Sequence, residues 1–153
     1  MKRILTTFLL LYLTNVIPSN AFAQHSVARM WNEVLLESIR NDFARPTVHA
    51  RNLFHSSIAL YDAWAVFDDE AQPFFLGQEF GGFELPFDGM PLPADKQAAQ
   101  EEAMSYAVYR LLKHRFRLSP GGIETEIRLK ELMDELGYDI NFTSEAYDQG
   151  SAA

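Results

Sequence analysis

The chain has 153 residues, a net charge of −8 and no cysteine. The acidic balance disfavours nucleic acid and anionic membrane surfaces as partners. The lack of cysteine excludes disulfides and thiolate metal sites. A chain of this size can bury one hydrophobic core.

The first 23 residues have the organisation of a secretory signal peptide. A positive head at residues 2–3 precedes an apolar run over residues 4–16, and Ala21-Phe22-Ala23 supplies the small residues for cleavage before Gln24. The alternative is an uncleaved membrane anchor. We favour cleavage because the apolar run is shorter than the ~20 residues that span a bilayer.

Cleavage would leave residues 24–153 as the exported chain. It would remove Lys2 and Arg3 and no acidic residue, so the net charge would go from −8 to −10. We expect this chain in the periplasm or outside the cell, with no membrane partner once the signal is removed.

Residues 26–43 predict a first helix, because apolar side chains recur every four residues from Val27. Pro46 ends that helix and suits the first turn of a second one, which we predict over residues 46–67. The second helix is apolar around most of its circumference, with a thin polar stripe. Such a helix belongs at the centre of a larger helical protein.

Residues 71–93 combine prolines, glycines and phenylalanines without a period. They predict a long loop whose aromatic side chains pack onto a surface. Further helices are predicted over residues 95–118 and 123–136, with Gly137 as a C-terminal cap, and no convincing strand is found. The predicted fold class is all-α: about four helices that form part of a larger bundle, with a long aromatic loop.

The polar stripe of the second helix is the first candidate site. It consists of Asn52, His55, Ser56 and Asp62. One interpretation is an orienting network that lines a cavity. The favoured one is a buried hydrogen-bond relay between helices, because buried polar groups must be paired. His55 and Asp62 lie about 10 Å apart along the helix axis, so each needs a partner elsewhere.

Arg45 and Arg51 flank the start of the second helix, where an anion would be well placed. They are candidate anion contacts. The favoured alternative is that the arginine is structural and forms a salt bridge near Asp42 or Glu37.

We predict no metal site in this chain. His49 and His55 are six residues apart and diverge by about 120° around the helix, whereas paired ligands on one face need a spacing of three or four. His25 lies at the mature N-terminus, and His114 suits the C-terminal end of its helix as a surface residue. No nucleophile elbow, phosphate-binding glycine loop or HExxH motif is present, so no catalytic or cofactor-binding residue is assigned.

The segment from 27 to 68 resembles the N-terminal region of exported bacterial vanadium-dependent haloperoxidase-like proteins, of the type 2 phosphatidic acid phosphatase superfamily. WNE at 31–33, RPTVHARNLFH at 45–55 and YDAWAVFD at 61–68 carry the resemblance. It implies an all-helical protein that holds vanadate or phosphate in its C-terminal half.

The oxyanion-binding motifs of that family are not found in this chain. Ser38 stands where a lysine would precede Arg45-Pro46 by seven residues, and Pro120-Gly121-Gly122 is not Pro-Ser-Gly-His. The resemblance therefore implies vanadate as a cofactor of the longer protein and no cofactor in this chain.

Two functional hypotheses follow. In the first, residues 24–153 are the N-terminal scaffold of a secreted haloperoxidase-like or acid phosphatase-like enzyme, inactive alone, whose partner is the missing C-terminal helical part. In the second, the chain is an exported, non-enzymatic helical module that binds a partner through the aromatic loop 74–87. A third, blander option is a product that does not fold.

Overall fold

The computed structural model describes residues 26–90 and 93–142. In these ranges the fold is all-α, as predicted. Its four helices are α1 (Val27–Arg40), α2 (Pro46–Ala65), α3 (Lys96–Phe116) and α4 (Gly122–Glu135). None of the described helices combines the length and the apolar character needed to cross a membrane. The signal peptide and His25 lie outside the described residues.

The helix ends follow local chemistry. The Ser26 hydroxyl accepts the backbone N–H of Arg29 at 3.3 Å, and the Asp95 carboxylate accepts that of Ala98 at 3.0 Å, so both residues are N-caps. Pro46 is the first residue of α2. Gly137 has a φ of +80°, and the backbone N–H of Tyr138 donates to the Met133 carbonyl at 2.8 Å. This is the predicted glycine C-cap.

The core is built around α3, which packs against each of the other three helices; α1 also contacts α4. The largest fully buried side chains come from α1, α3 and α4 and from Phe67 just after α2; those with the greatest volume are Trp31, Phe67, Phe116, Leu35 and Leu112. The indole N–H of Trp31 donates to the Ser105 hydroxyl at 3.0 Å, which in turn donates to the Glu101 carbonyl at 2.7 Å. The indole is therefore buried without an unpaired donor.

The turn between α3 and α4 packs against the end of α1. The backbone N–H of Gly121 donates to the Asn41 carbonyl at 3.0 Å. A Cβ on Gly121 would lie 2.5 Å from the Asn41 Cβ and 2.8 Å from its carbonyl oxygen. Only glycine fits this approach without a backbone shift.

The long loop contains a short antiparallel hairpin that the sequence analysis missed. Strand β1 (Glu79–Phe80) pairs with β2 (Phe83–Glu84) across Gly81 and Gly82. The two glycines have φ values of +60° and +82°, as a two-residue type I′ turn requires. Two glycines between short aromatic-acidic pairs were a usable hairpin signal, and the prediction of no strand is wrong here.

The buried face of α2 is its polar stripe and not its most apolar side. Asn52, Ser56 and Asp62 are all buried, together with Leu60 and Ala65. Small polar side chains allow α2 and α3, the most extensively paired helices of the fold, to approach closely. Three of the bulkier residues of α2, Leu53, Phe54 and Tyr61, are instead exposed.

Candidate functional site

Asp62 anchors the aromatic loop to α2. Its carboxylate accepts three backbone N–H groups in succession, from Phe74 at 2.5 Å, Phe75 at 2.9 Å and Leu76 at 3.3 Å. Hydrogen bonds to an ionised acceptor are the strong ones in proteins. The charge of Asp62 is thus satisfied by the loop, which fixes where the loop crosses the helix.

The anchored loop holds an aromatic cluster. The ring centroids of Phe75 and Phe80 are 4.7 Å apart in an edge-on arrangement, and those of Phe74 and Phe80 are 5.4 Å apart and stacked. The phenol O–H of Tyr61 adds a second tie, to the Gln72 carbonyl at 3.0 Å. Phe83 remains outside the cluster with 77% of its surface exposed.

His55 lies against Arg115, a residue from the last turn of α3. The guanidinium donates to Nδ1 of the imidazole, so the ring is neutral with its proton on Nε2. Burial, followed by the charges of Arg115 and Arg51, lowers the pKa of His55 below its ordinary value. Arg51, His55 and Arg115 together form what we call the basic cluster.

Sequence reasoning did not find this pairing. His55 and Arg115 are 60 residues apart in the sequence. No local pattern marks an arginine at the end of one helix as the partner of a histidine in another, since only the packing of α2 on α3 brings them together.

Asn52 and Ser56 lie side by side on the buried face of α2, with 4% and 1% of their surfaces exposed. Within the described part of the chain, Asn52 Oδ1 and Ser56 Oγ accept or donate no hydrogen bond. They do not form a single network with His55 and Asp62, because His55 is hydrogen-bonded to Arg115 and Asp62 to the backbone of the loop. The stripe therefore divides into three separate environments.

Arg45 forms structural contacts with residues in the turn that follows α1. Its guanidinium pairs with the Asp42 carboxylate at 3.1 Å and lies 5.2 Å from the centroid of the Phe43 ring. The Asp42 side chain is itself buried. These contacts favour the salt-bridge interpretation of Arg45 over an anion contact.

Arg51 differs from Arg45, since it forms no ion pair with any other residue in the described ranges. It lies one helical turn before His55 on the same face of α2, and its charge acts on that imidazole. Of the two candidate anion contacts, Arg51 is the one that remains available to a ligand.

A groove lies beside the basic cluster, between α2, α3 and the loop. Its volume is about 520 Å³. His55 lies at one end and the anchored Asp62 further along, while aliphatic and aromatic side chains supply most of the wall, among them Ile58, Ala63, Phe75, Leu76 and Leu111. We call this the α2–α3 groove.

The opposite side of α2 is an exposed apolar face, defined here by Leu53, Phe54, Ser57 and Tyr61. The three large side chains are 41%, 53% and 42% exposed. The face centres on Ser57 and the groove on Asp62, five residues later, so the two are about 140° apart around the helix axis. They are separate surfaces.

The described residues do not fit the vanadate or phosphate group implied by the resemblance. Ser38 is buried and its hydroxyl donates to the Val34 carbonyl at 2.8 Å, so it offers the group no charge. Arg45 is already paired with Asp42. A group of three or more histidine, aspartate and glutamate side chains that could hold a metal ion is also not found in residues 26–90 and 93–142.

No protein-family model, curated protein or solved structure matches this chain.

Proposed function

We propose that the chain is the N-terminal helical scaffold of a secreted enzyme of the vanadium haloperoxidase or acid phosphatase kind, inactive by itself. The resemblance over residues 27–68 is one support. The observation that carries the proposal is the exposed apolar face of α2, because large side chains of a central helix are normally covered.

In this proposal the missing C-terminal helices cover Leu53, Phe54 and Tyr61. The oxyanion-binding residues belong to that missing part, since the residues described here do not form such a site. The role of this chain is to build one wall of the enzyme and to bury α2 between its own α3 and the added helices.

The first test is the coding sequence after codon 153. An open frame that encodes Pro-Ser-Gly-His supports the proposal. A stop codon, together with a purified chain that stays monomeric with Leu53, Phe54 and Tyr61 accessible to solvent, overturns it.

A second test places a photo-crosslinking phenylalanine analogue at Phe54 in the chain produced with the continuing polypeptide. We expect crosslinks from Phe54 to the C-terminal part. The isolated chain should not brominate a reporter phenol when given vanadate, peroxide and bromide, and bromination above background would contradict the scaffold role.

A second candidate function is partner binding through loop 74–87 by an exported, non-enzymatic module. The specific support is Phe83, which is 77% exposed beside the anchored aromatic cluster. In the same crosslinking experiment, an analogue at Phe83 that captures a separate protein, with no capture from Phe54, would favour this function over the scaffold.

A further inference from the structure

The α2–α3 groove combines three features that together describe a ligand. It is concave, with a volume of about 520 Å³, within the range of small-molecule sites. Most of its wall is apolar. One end is lined by His55 of the basic cluster, whose imidazole contacts Arg115, in a chain whose net charge is −8.

The acidic side chain in the groove, Asp62, lies away from this end, seven residues and about 10 Å along the helix axis from His55. Asp62 is engaged by the backbone N–H groups of Phe74, Phe75 and Leu76, so its carboxylate is turned toward the loop backbone. His55 is therefore the polar residue at this end of an otherwise apolar wall. Arg115, which contacts its imidazole, and Arg51, one helical turn before it, lie beside that end.

The groups at that end are donors. Arg51 and Arg115 carry guanidinium charges, and His55 accepts from Arg115 through Nδ1, which leaves its Nε2–H free to donate. Guanidinium groups bind carboxylates through paired N–H donors. The acidic chain as a whole would repel a dianion about twice as strongly as a monoanion, which favours a single negative charge.

The length of the groove limits the length of the apolar part of a bound ligand. It follows α2 from His55 to Ala63, which is about 12 Å at ~1.5 Å per residue. Ala59, Ala63 and Ala107 line it with small side chains, and these leave room for an extended aliphatic chain between the helices and the loop.

We propose that the α2–α3 groove binds a medium-chain aliphatic carboxylate, with its head on Arg51, His55 and Arg115 and its tail along Ile58, Ala63 and Leu76. This site is independent of the proposed scaffold function, because the exposed apolar face of α2 lies about 140° away around the helix.

The test is calorimetric titration of the purified chain with decanoate, with decylamine as the same tail on a cation and with 1-decanol as the same tail without charge. Decanoate should bind, and the other two should bind at least about tenfold more weakly, the effect of one charge-assisted hydrogen bond. Equal binding of decylamine, or no binding of decanoate, would overturn the proposal.

Two variants, R115Q and A59L, locate the site, and R117Q is the matched control. R115Q should weaken decanoate binding about tenfold and leave 1-decanol unchanged, whereas R117Q, the same charge change two residues further along the chain and outside the groove, should have no effect. A59L should weaken both ligands by filling the groove. Far-ultraviolet circular dichroism confirms that each variant is folded, and equal losses in R115Q and R117Q would refute the assignment of the head to Arg115.

Discussion

Asp62→Asn should detach the aromatic loop while leaving the helices folded. In the native chain Oδ1 of Asp62 accepts the N–H of Phe74, and Oδ2 accepts those of Phe75 and Leu76. Asparagine keeps one acceptor oxygen and replaces the other by an NH₂ donor. The amide is best placed with its oxygen on Phe75 and Leu76, so that the bond to Phe74 is lost.

The magnitude follows from these three bonds. A hydrogen bond to a charged group contributes about 1.5–3 kcal/mol and a neutral one about 0.5–1.5 kcal/mol. One charged bond is lost, about 1.5–3 kcal/mol, and two become neutral, about 1–1.5 kcal/mol each, so the loop should lose about 3.5–6 kcal/mol of docking free energy. Because the helices pack through other residues, the opening should be local.

Hydrogen–deuterium exchange measures this directly. We expect amides in residues 72–88 to exchange at least about three hundredfold faster in D62N, the equivalent of the lower bound of about 3.5 kcal/mol, with α1 and α4 unchanged. D88N is the matched control, since Asp88 is exposed in the same loop and loses the same charge. If D62N exchanges no faster than D88N, the carboxylate does not anchor the loop.

Three further predictions concern stability and ionisation. G121A should lower the free energy of unfolding by about 1–3 kcal/mol in urea denaturation, because the added Cβ meets Asn41. The control E124A, in the first turn of α4, should lower it by only a few tenths of a kcal/mol. Equal effects of the two variants would contradict the close approach of Gly121 to Asn41. Burial, and next the charges of Glu101 and Glu102, raises the pKa of Tyr138 to about 12, so the folded state holds this proton between pH 10 and 12 while the unfolded state loses it. Stability should therefore fall across that window by roughly 2 kcal/mol more than in Y138F, and parallel pH profiles of the two proteins would count against it. The pKa of His55, followed by NMR, should lie below the ordinary 6.5 and rise in R115Q. The free energy of unfolding should fall as the pH drops below 6.5, because the unfolded state then binds a proton on His55 before the folded state does. An unchanged His55 titration in R115Q would show that the two side chains do not interact.

The positions of the helices were predictable from the sequence because their signals are local. The four-residue period of α1, the proline at the start of α2 and the glycine after α4 each act within a few residues of the chain. The observed helices begin within one residue of the predicted starts and end within three of the predicted ends. The hairpin was missed although its Gly81-Gly82 turn is an equally local signal.

The sequence analysis favoured a buried position between helices for the polar stripe of α2, and Asn52, Ser56 and Asp62 are buried. Only the tertiary structure decided that Leu53, Phe54 and Tyr61 are left exposed on the other side, because close approach to α3 depends on side-chain size as well as polarity. The hydrogen-bond partners of His55 and Asp62 could also not be predicted from the sequence. Arg115 and the backbone of residues 74–76 reach them only through the docking of α3 and the loop, and such contacts depend on shape in three dimensions rather than on spacing along the sequence.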